Sequence, residues 1–548
     1  MNAFQRATKQ VPTTSRRGFI GILAAAAIAP TLASCSTGTG AATGGGPIGV
    51  PAGVLPNYVP VTYVEPDIAG IEGSTPGFLD WPKLVESVDK VPGVGGRYSA
   101  MVPTYGNVVP GLKDSKYLQM VNKEINATFD FQFTDNNAYP NKLQAIFASK
   151  KDVPDFVTIA EHNIPPRFDQ ALPGLFTDLG EYLSGDKVEK YPNLANIPTD
   201  AWKSSVFEGK LYGLPYPTDR ISAATFYRKD IFDDLGITKL PTTADEFFDL
   251  TVEITDQNAG RWAGNDLTES SNLIFNVPPM WKREGGKLVH RYESDEYRAH
   301  LEFVTKLFSA GVIHPDAVAG NEGQNKQRFE SGKVLISYDG YSGWIGSHVR
   351  TAPTTPEYNQ QPMPWFSPGG EKPQVFLSSP AKILCFVKQQ DDDARMDEIL
   401  DLLNYFAAPF GTTEQALLQN GIEGVHWNAD PETGAPVKTD LGLKEVASTY
   451  QWLVRPPVTQ NAPQYPDVVA DYCNFMADSM QYAVEPEFHG MRILEPVKFA
   501  NLSQPFDDLE KDIVRGRQSM DDLDAAIEKW RTGGGDELRD FYAEYLEA

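Results

Sequence analysis

Residues 97–102 read RYSAMV, residues 128–133 TFDFQF and residues 153–159 VPDFVTI, three short runs rich in apolar, β-branched and aromatic side chains. Between the first two, Tyr117, Leu118, Val121 and Ile125 recur at the spacing of one helix face over 115–126. A second helical stretch around 143–148 precedes the third run. Strands alternating with helices predict βαβ units, hence an α/β fold with mainly parallel sheets. Ligands of such sheets bind beyond the carboxyl ends of the strands. That points to the loops 103–107, 135–137 and 160–163.

Outward from this unit the alternation continues. A second α/β region is expected over 221–332, with a helix at 299–310 ended by Gly311 and another at 317–330. Strands follow at 334–338 and 382–387, helical spacing at 396–407 and 520–532, and a C-terminal region that is mostly helical. Towards the N-terminus, residues 54–96 are rich in Pro and Gly but carry Tyr58, Tyr63, Phe78, Leu79 and Trp81, which predicts an extended strap laid over a domain. Residues 35–53, mostly Gly, Thr, Ala and Pro, read as a flexible tether.

The first 34 residues have the make-up of an export signal. Arg16 and Arg17 stand just before an apolar run, Ile20 to Ala29, that is too short to span a bilayer core of ~30 Å. Leu32-Ala33-Ser34-Cys35 resembles a bacterial lipobox, in which Cys35 is acylated and becomes the new N-terminus. The mature protein is therefore expected outside the cytoplasmic membrane, exported by the twin-arginine route, and held at its outer face by lipid.

A net charge of −25 argues against a nucleic-acid partner, whose phosphates call for Lys and Arg. It argues equally against lying flat on anionic lipid. After Cys35 only Cys385 and Cys473 remain. Cys385 sits within an apolar strand, Ile383 to Val387, and two free buried thiols are expected. The glycines of 38–46 lack the flanking strand and helix of a phosphate loop. His290 and His300 share no metal-ligand spacing, and no other pair of His does. Asp256 opens a run that begins like a calcium loop, but Arg261 and Leu267 stand where such a loop needs Gly and Glu. No metal or other cofactor is expected. Asp339 and Glu423 are the carboxylates a glycosidase reading would use, yet nothing in the spacing pairs them.

Several segments, in order, resemble the family 1 extracellular solute-binding proteins, the sugar receptors of ABC importers. Glu208-Gly209-Lys210-Leu211-Tyr212-Gly213-Leu214-Pro215 is similar to that family's GKxYGxP segment. Tyr227-Arg228-Lys229-Asp230-Ile231-Phe232 is similar to its YNKDLF, and Pro241 to Phe247 to its PxTWDEF. Phe329 to Val334 resembles FxxGKxAM, and Gly421-Ile422-Glu423-Gly424-Val425-His426-Trp427 the GIEGxHY of a longer lipoprotein-type subgroup. The resemblance implies two α/β lobes hinged by crossings near 216–220, 337–343 and 378–382. Lobe one would comprise 97–217 and 337–379, and lobe two 218–336 and 380–548. It further implies a monomeric receptor, not an enzyme, that hands a sugar or oligosaccharide to ABC permease subunits. A surface glycosidase and a sensory or adhesive carbohydrate-binding lipoprotein are the alternatives.

A pyranose has an apolar face and a rim of hydroxyls, so its site needs flat rings beside groups that donate and accept. The segments facing the implied cleft supply Tyr105 and Asn107; Tyr216, Asp219 and Arg220; Tyr338, Asp339, Tyr341 and Trp344; Trp365; and Glu423, His426 and Trp427. Trp262 and Trp281 fall in the second lobe, and Trp262 is expected to be core.

Overall fold

The computed structural model describes residues 50–105, 109–150, 152–165 and 167–547. Nine strands build the two principal sheets. They are β1 (Arg97–Thr104), β2 (Thr128–Asp135), β3 (Phe156–Ala160), β4 (Gly213–Pro217), β5 (Ala223–Arg228), β6 (Trp262–Gly264), β7 (Val334–Gly340), β8 (Gln360–Pro362) and β9 (Ala381–Val387). The first sheet runs β2-β1-β3-β9-β4 and the second β8-β5-β7-β6.

β1 pairs in parallel with β2 and β3, because each is reached through a helix that packs back on the sheet. The helix Lys116–Glu124 starts where the Ser115 hydroxyl accepts from the Leu118 N–H, and it buries Tyr117, Leu118 and Val121. β9 enters antiparallel between β3 and β4. In the second sheet β7 is antiparallel to β5 and parallel to β6, while β8 is antiparallel to β5. The expected parallel character thus holds for β2-β1-β3 in the first sheet and for β7-β6 in the second. It fails wherever a strand returns from the other lobe.

Each sheet has its own core. In the first lobe Phe129 packs edge-to-face on Phe406 and Phe131 on Tyr450, with Phe156 tilted against Phe129 and Phe406 against Tyr450. Phe226, Tyr341, Trp344 and Tyr472 fill one side of the second sheet, and Phe247, Phe303 and Ile336 the other. A further layer, helices Gln504–Val514, Met520–Trp530 and Asp536–Glu547, packs on the hairpin Trp281–Glu284/Lys287–His290 and the helix Asp295–Ser309. Cys385 and Cys473 are free and buried in different cores.

The chain crosses between sheets at 218–222, at 377–380 and after Val454. The first two crossings lie side by side: the Thr218 N–H donates to the Pro380 carbonyl at 3.1 Å and the Ser378 N–H to the Arg220 carbonyl at 2.8 Å. No crossing occurs at 337–343, where β7 leads directly into the helix Tyr341–Thr351 of the same lobe. The expected lobe assignment is accordingly reversed for residues 337–379 and 381–454. Residues 337–379 remain with the second sheet, and β9 with the chain through Val454 belongs to the first before 462–484 returns to the second.

Residues 54–96 run as an extended chain hydrogen-bonded across the surface. Val59 donates to the Ala195 carbonyl and Val85 to the Gly411 carbonyl, and Gly77–Phe78 pairs in parallel with Gln460–Asn461. Glu398 fastens the end of this strap, accepting from the Val94 and Gly96 N–H groups and from the Tyr98 hydroxyl. Residues 1–49, which contain the expected signal and Cys35, lie outside the described residues, as does Asn107.

Candidate functional site

A groove of about 740 Å³ lies where the carboxyl end of β3 faces the second lobe. The first lobe contributes Glu161 and Arg167, and the second Asn272, Trp281, Arg291 and Tyr338. Its floor is the crossing Phe376–Ser379 and the segment 486–497.

Local structure explains each position. Tyr338 sits two residues beyond the buried Ile336 on the same face of β7, past the end of the core, so its ring emerges 37% exposed. Trp281 opens a hairpin whose turn is Gly285-Gly286, and its ring packs edge-on against His290 at 4.7 Å. Arg492 reaches out of the 486–497 segment into the first lobe. Its Nη1 meets Glu161 Oε1 at 2.8 Å, while Nη2 donates to the Ala381 carbonyl and Nε to the Ser204 carbonyl. Burial holds the Arg492 guanidinium below its ordinary range against the opposing pull of Glu161.

On the second-lobe wall three buried polar atoms have no protein partner among the described residues: Asn272 Oδ1, Trp281 Nε1 and Arg291 Nε. Buried polar atoms are nearly always hydrogen-bonded, since leaving one unmet costs about 1–3 kcal/mol. Two donors and an acceptor gathered in one wall match a ligand bearing hydroxyls. Nothing in this wall pairs a nucleophile with a base.

The profile of the bacterial extracellular solute-binding proteins matches residues 112–409. The chain belongs to that family. Among relatives of this solute-binding protein is a polygalacturonan/rhamnogalacturonan-binding protein of Bacillus subtilis, 23% identical over 461 residues, which cover 78% of this chain and 87% of the relative. Another is a lipoprotein, LipO, of the same bacterium, 20% identical over 76% of this chain and 85% of its own. A human-milk-oligosaccharide (HMO)-binding, ABC-transporter-associated protein of Bifidobacterium longum infantis has the same fold, with a TM-score of 0.60 at 16% identity, covering 82% of this chain and 98% of that one. Family membership makes the chain a binding protein and not an enzyme.

Of the residues singled out from sequence, Tyr338 lines the groove. Tyr105 and Tyr216 lie at the same end of the first sheet, their rings 6.1 Å and 5.7 Å from that of Trp452. The others stand elsewhere. Tyr341 and Trp344 are 0% and 1% exposed and pack with Phe226 and Tyr472, because the helix they begin turns its apolar face to the sheet. The buried Asp219 carboxylate accepts from the Thr75 hydroxyl of the strap, and burial raises its pKa. Arg220 donates to the Glu72 carbonyl and faces Glu485, not Asp219.

Asp339 accepts from the Gly340 N–H and lies 3.8 Å from Lys326, outside the groove lining. Trp365 donates to the Ser479 hydroxyl and stacks on Phe475. His426 is fully buried, its Nδ1 accepting from the Ile422 N–H and its Nε2 facing Glu445 at 3.6 Å. Trp427 donates to the Gly421 carbonyl, and Glu423 is exposed on the same turn. That turn is a structural knot of the first lobe. Asp256, the start of the calcium-like run, accepts from the Asn258 and Ala259 N–H groups and so closes a tight turn.

Asn272, Arg291, Trp452, Arg455 and Arg492 were not singled out from sequence. Trp281 was noted only as a second-lobe aromatic, although Glu284-Gly285-Gly286-Lys287 beside it is a legible hairpin turn.

Proposed function

We propose that this solute-binding protein captures an oligosaccharide in the groove and delivers it to the membrane subunits of an ABC importer, tethered outside the membrane by lipid on Cys35. The observation that carries the glycan reading is the second-lobe wall. Asn272 Oδ1, Trp281 Nε1 and Arg291 Nε are desolvated and unpaired beside the exposed Tyr338 ring. Rings for the flat face of a sugar and unmet donors and acceptors for its rim are what a pyranose recruits. The glycans named for its relatives, together with Leu32-Ala33-Ser34-Cys35 and the lipoprotein relative, support the same reading.

Mechanically, a ligand that touches Glu161 or Arg492 on one side and Tyr338 or Trp281 on the other binds the closed form better than the open one. It therefore shifts the population towards closure. A micromolar glycan supplies about 8 kcal/mol at standard state, ample for a gap of a few kcal/mol. The test is thermal denaturation against a panel of oligosaccharides. A ligand at a hundredfold its Kd stabilises by about 2.7 kcal/mol and raises Tm. If peptides raise Tm and no glycan does, the glycan reading fails.

A further inference from the structure

The first lobe holds a second cavity of about 450 Å³, separate in its lining from the groove and set at the same end of the sheet. Its walls are the end of β1 through Tyr105, Phe133 of β2, the turn after helix Asp440–Glu445, and the stretch ending in Trp452 and Arg455. Its charge is one-sided. Among the described residues Lys438, Lys444 and Arg455 line it and no Asp or Glu does, in a chain whose net charge is −25.

None of these cations has a carboxylate within ion-pair distance among the described residues. The nearest acid in sequence, Glu445, is turned away: it accepts from the Tyr117 N–H at 3.1 Å and faces His426. Arg455 donates through Nη2 to the Ser448 hydroxyl at 3.3 Å and lies over the Tyr216 ring at 4.0 Å, while its Nε is buried with no protein acceptor. Burial disfavours the charged form of Arg455. A desolvated cation normally has its counter-charge beside it, since Coulombic attraction has to offset lost hydration. Here no counter-charge is present among the described residues, and the walls offer aromatic platforms instead.

We propose that this cavity is an anion subsite that receives the acidic substituent of a charged sugar unit, so that the captured glycan carries carboxylate or sulfate groups. The inference rests on the glycan reading of the groove. Tyr216 couples the two places. Its ring packs against Trp452 and Arg455, and its strand is paired with β9, whose Ala381 carbonyl accepts from Arg492 of the groove. An extended chain lying along this end of the sheet meets both.

Calorimetric titration of the full-length protein with three trisaccharide probes tests it: an oligogalacturonate, its methyl ester and a sulfated neutral oligosaccharide, each at low and high salt. The acid is expected to bind about tenfold or more tighter than the uncharged ester, the difference shrinking as salt screens it. R455Q should narrow that difference about tenfold and leave ester binding within about twofold, as one charge-assisted contact is lost. Because Arg455 also packs on Tyr216, the double variant K438Q/K444Q, which touches two exposed side chains, makes the same measurement without risk to the fold. Tighter binding of the sulfated probe than of the uronate supports the subsite and assigns its anion to a sulfate ester. Equal binding of acid and ester, or an acid affinity unchanged in K438Q/K444Q, overturns the subsite and leaves the glycan reading standing. Failure of all three probes and of the wider glycan panel overturns both.

Discussion

Tyr338 and Tyr341 stand three residues apart, and the structure gives them opposite roles. Tyr338 is 37% exposed on the groove wall, whereas Tyr341 is fully buried against Phe226 and Tyr472. Tyr338→Ala is expected to weaken glycan binding about tenfold, the scale of a lost ring contact, while leaving Tm nearly unchanged. Tyr341→Ala removes a large core side chain and should cost about 3–5 kcal/mol of stability. Calorimetric titration and thermal denaturation of the two variants separate the roles, and a Tyr338→Ala protein with wild-type affinity would remove that ring from the site. Sequence showed both residues near a strand end rich in rings and glycine. It could not show that the strand outlasts its core by two residues while the following helix faces inward. The same limit explains His426 and Trp427: their residue types suit a sugar, but the tight 421–427 turn takes up His426 Nδ1 and Trp427 Nε1 internally, and His426 Nε2 is buried facing Glu445.

At the scale of elements, strand existence was legible and sheet membership was not. Ile383 to Val387 is apolar on both faces, as a central strand must be, and that pattern is the same in either lobe. Only the pairing of β9 with β3 and β4 decides it. The C-terminal helical layer carries a pH prediction of its own. Burial, reinforced by Arg291 and Arg539, lowers the pKa of His290 to about 3, and burial with Arg291 does the same for His300. Both are neutral when folded and take up protons near pH 6.5 when unfolded. Their contribution is fully present above about pH 6.5 and is lost as pH falls towards 3. Each histidine should cost about 2 kcal/mol between pH 6.5 and 5. Hydrogen exchange is expected to open the helices Asp295–Ser309 and Gln504–Val514 in acid before the first-lobe strands do. Uniform loosening of both lobes would contradict this. Arg492 links the layers differently, joining the 486–497 segment to the first lobe at three points. Arg492→Met should leave the Ser204 and Ala381 carbonyls short of a donor and cost about 2 kcal/mol. Small-angle scattering of that variant is expected to show a wider apo distribution that glycan narrows less than in the wild type.

For the whole molecule, two sheets with separate cores joined by the crossings at 218–222, 377–380 and after Val454 suit the proposed closure as a movement of bodies rather than a repacking, and the net charge bears on how the chain meets the membrane. A net charge of −25 repels an anionic leaflet, and no helix among the described residues is long and apolar enough to cross a bilayer. On the proposed reading, lipid on Cys35 supplies the attachment to the membrane, and stable attachment takes more than one acyl chain. Cys35→Ser is therefore expected to move the protein from the washed membrane fraction to the soluble one almost completely. Because the tether lies far in sequence from every groove residue, the glycan-induced rise in Tm should be unchanged in the released protein. Fractionation followed by thermal denaturation of both fractions reads the two effects independently. Retention of the Cys35→Ser protein on membranes after a high-salt wash would show that something other than the lipobox thiol anchors it, and would leave capture in the groove untouched.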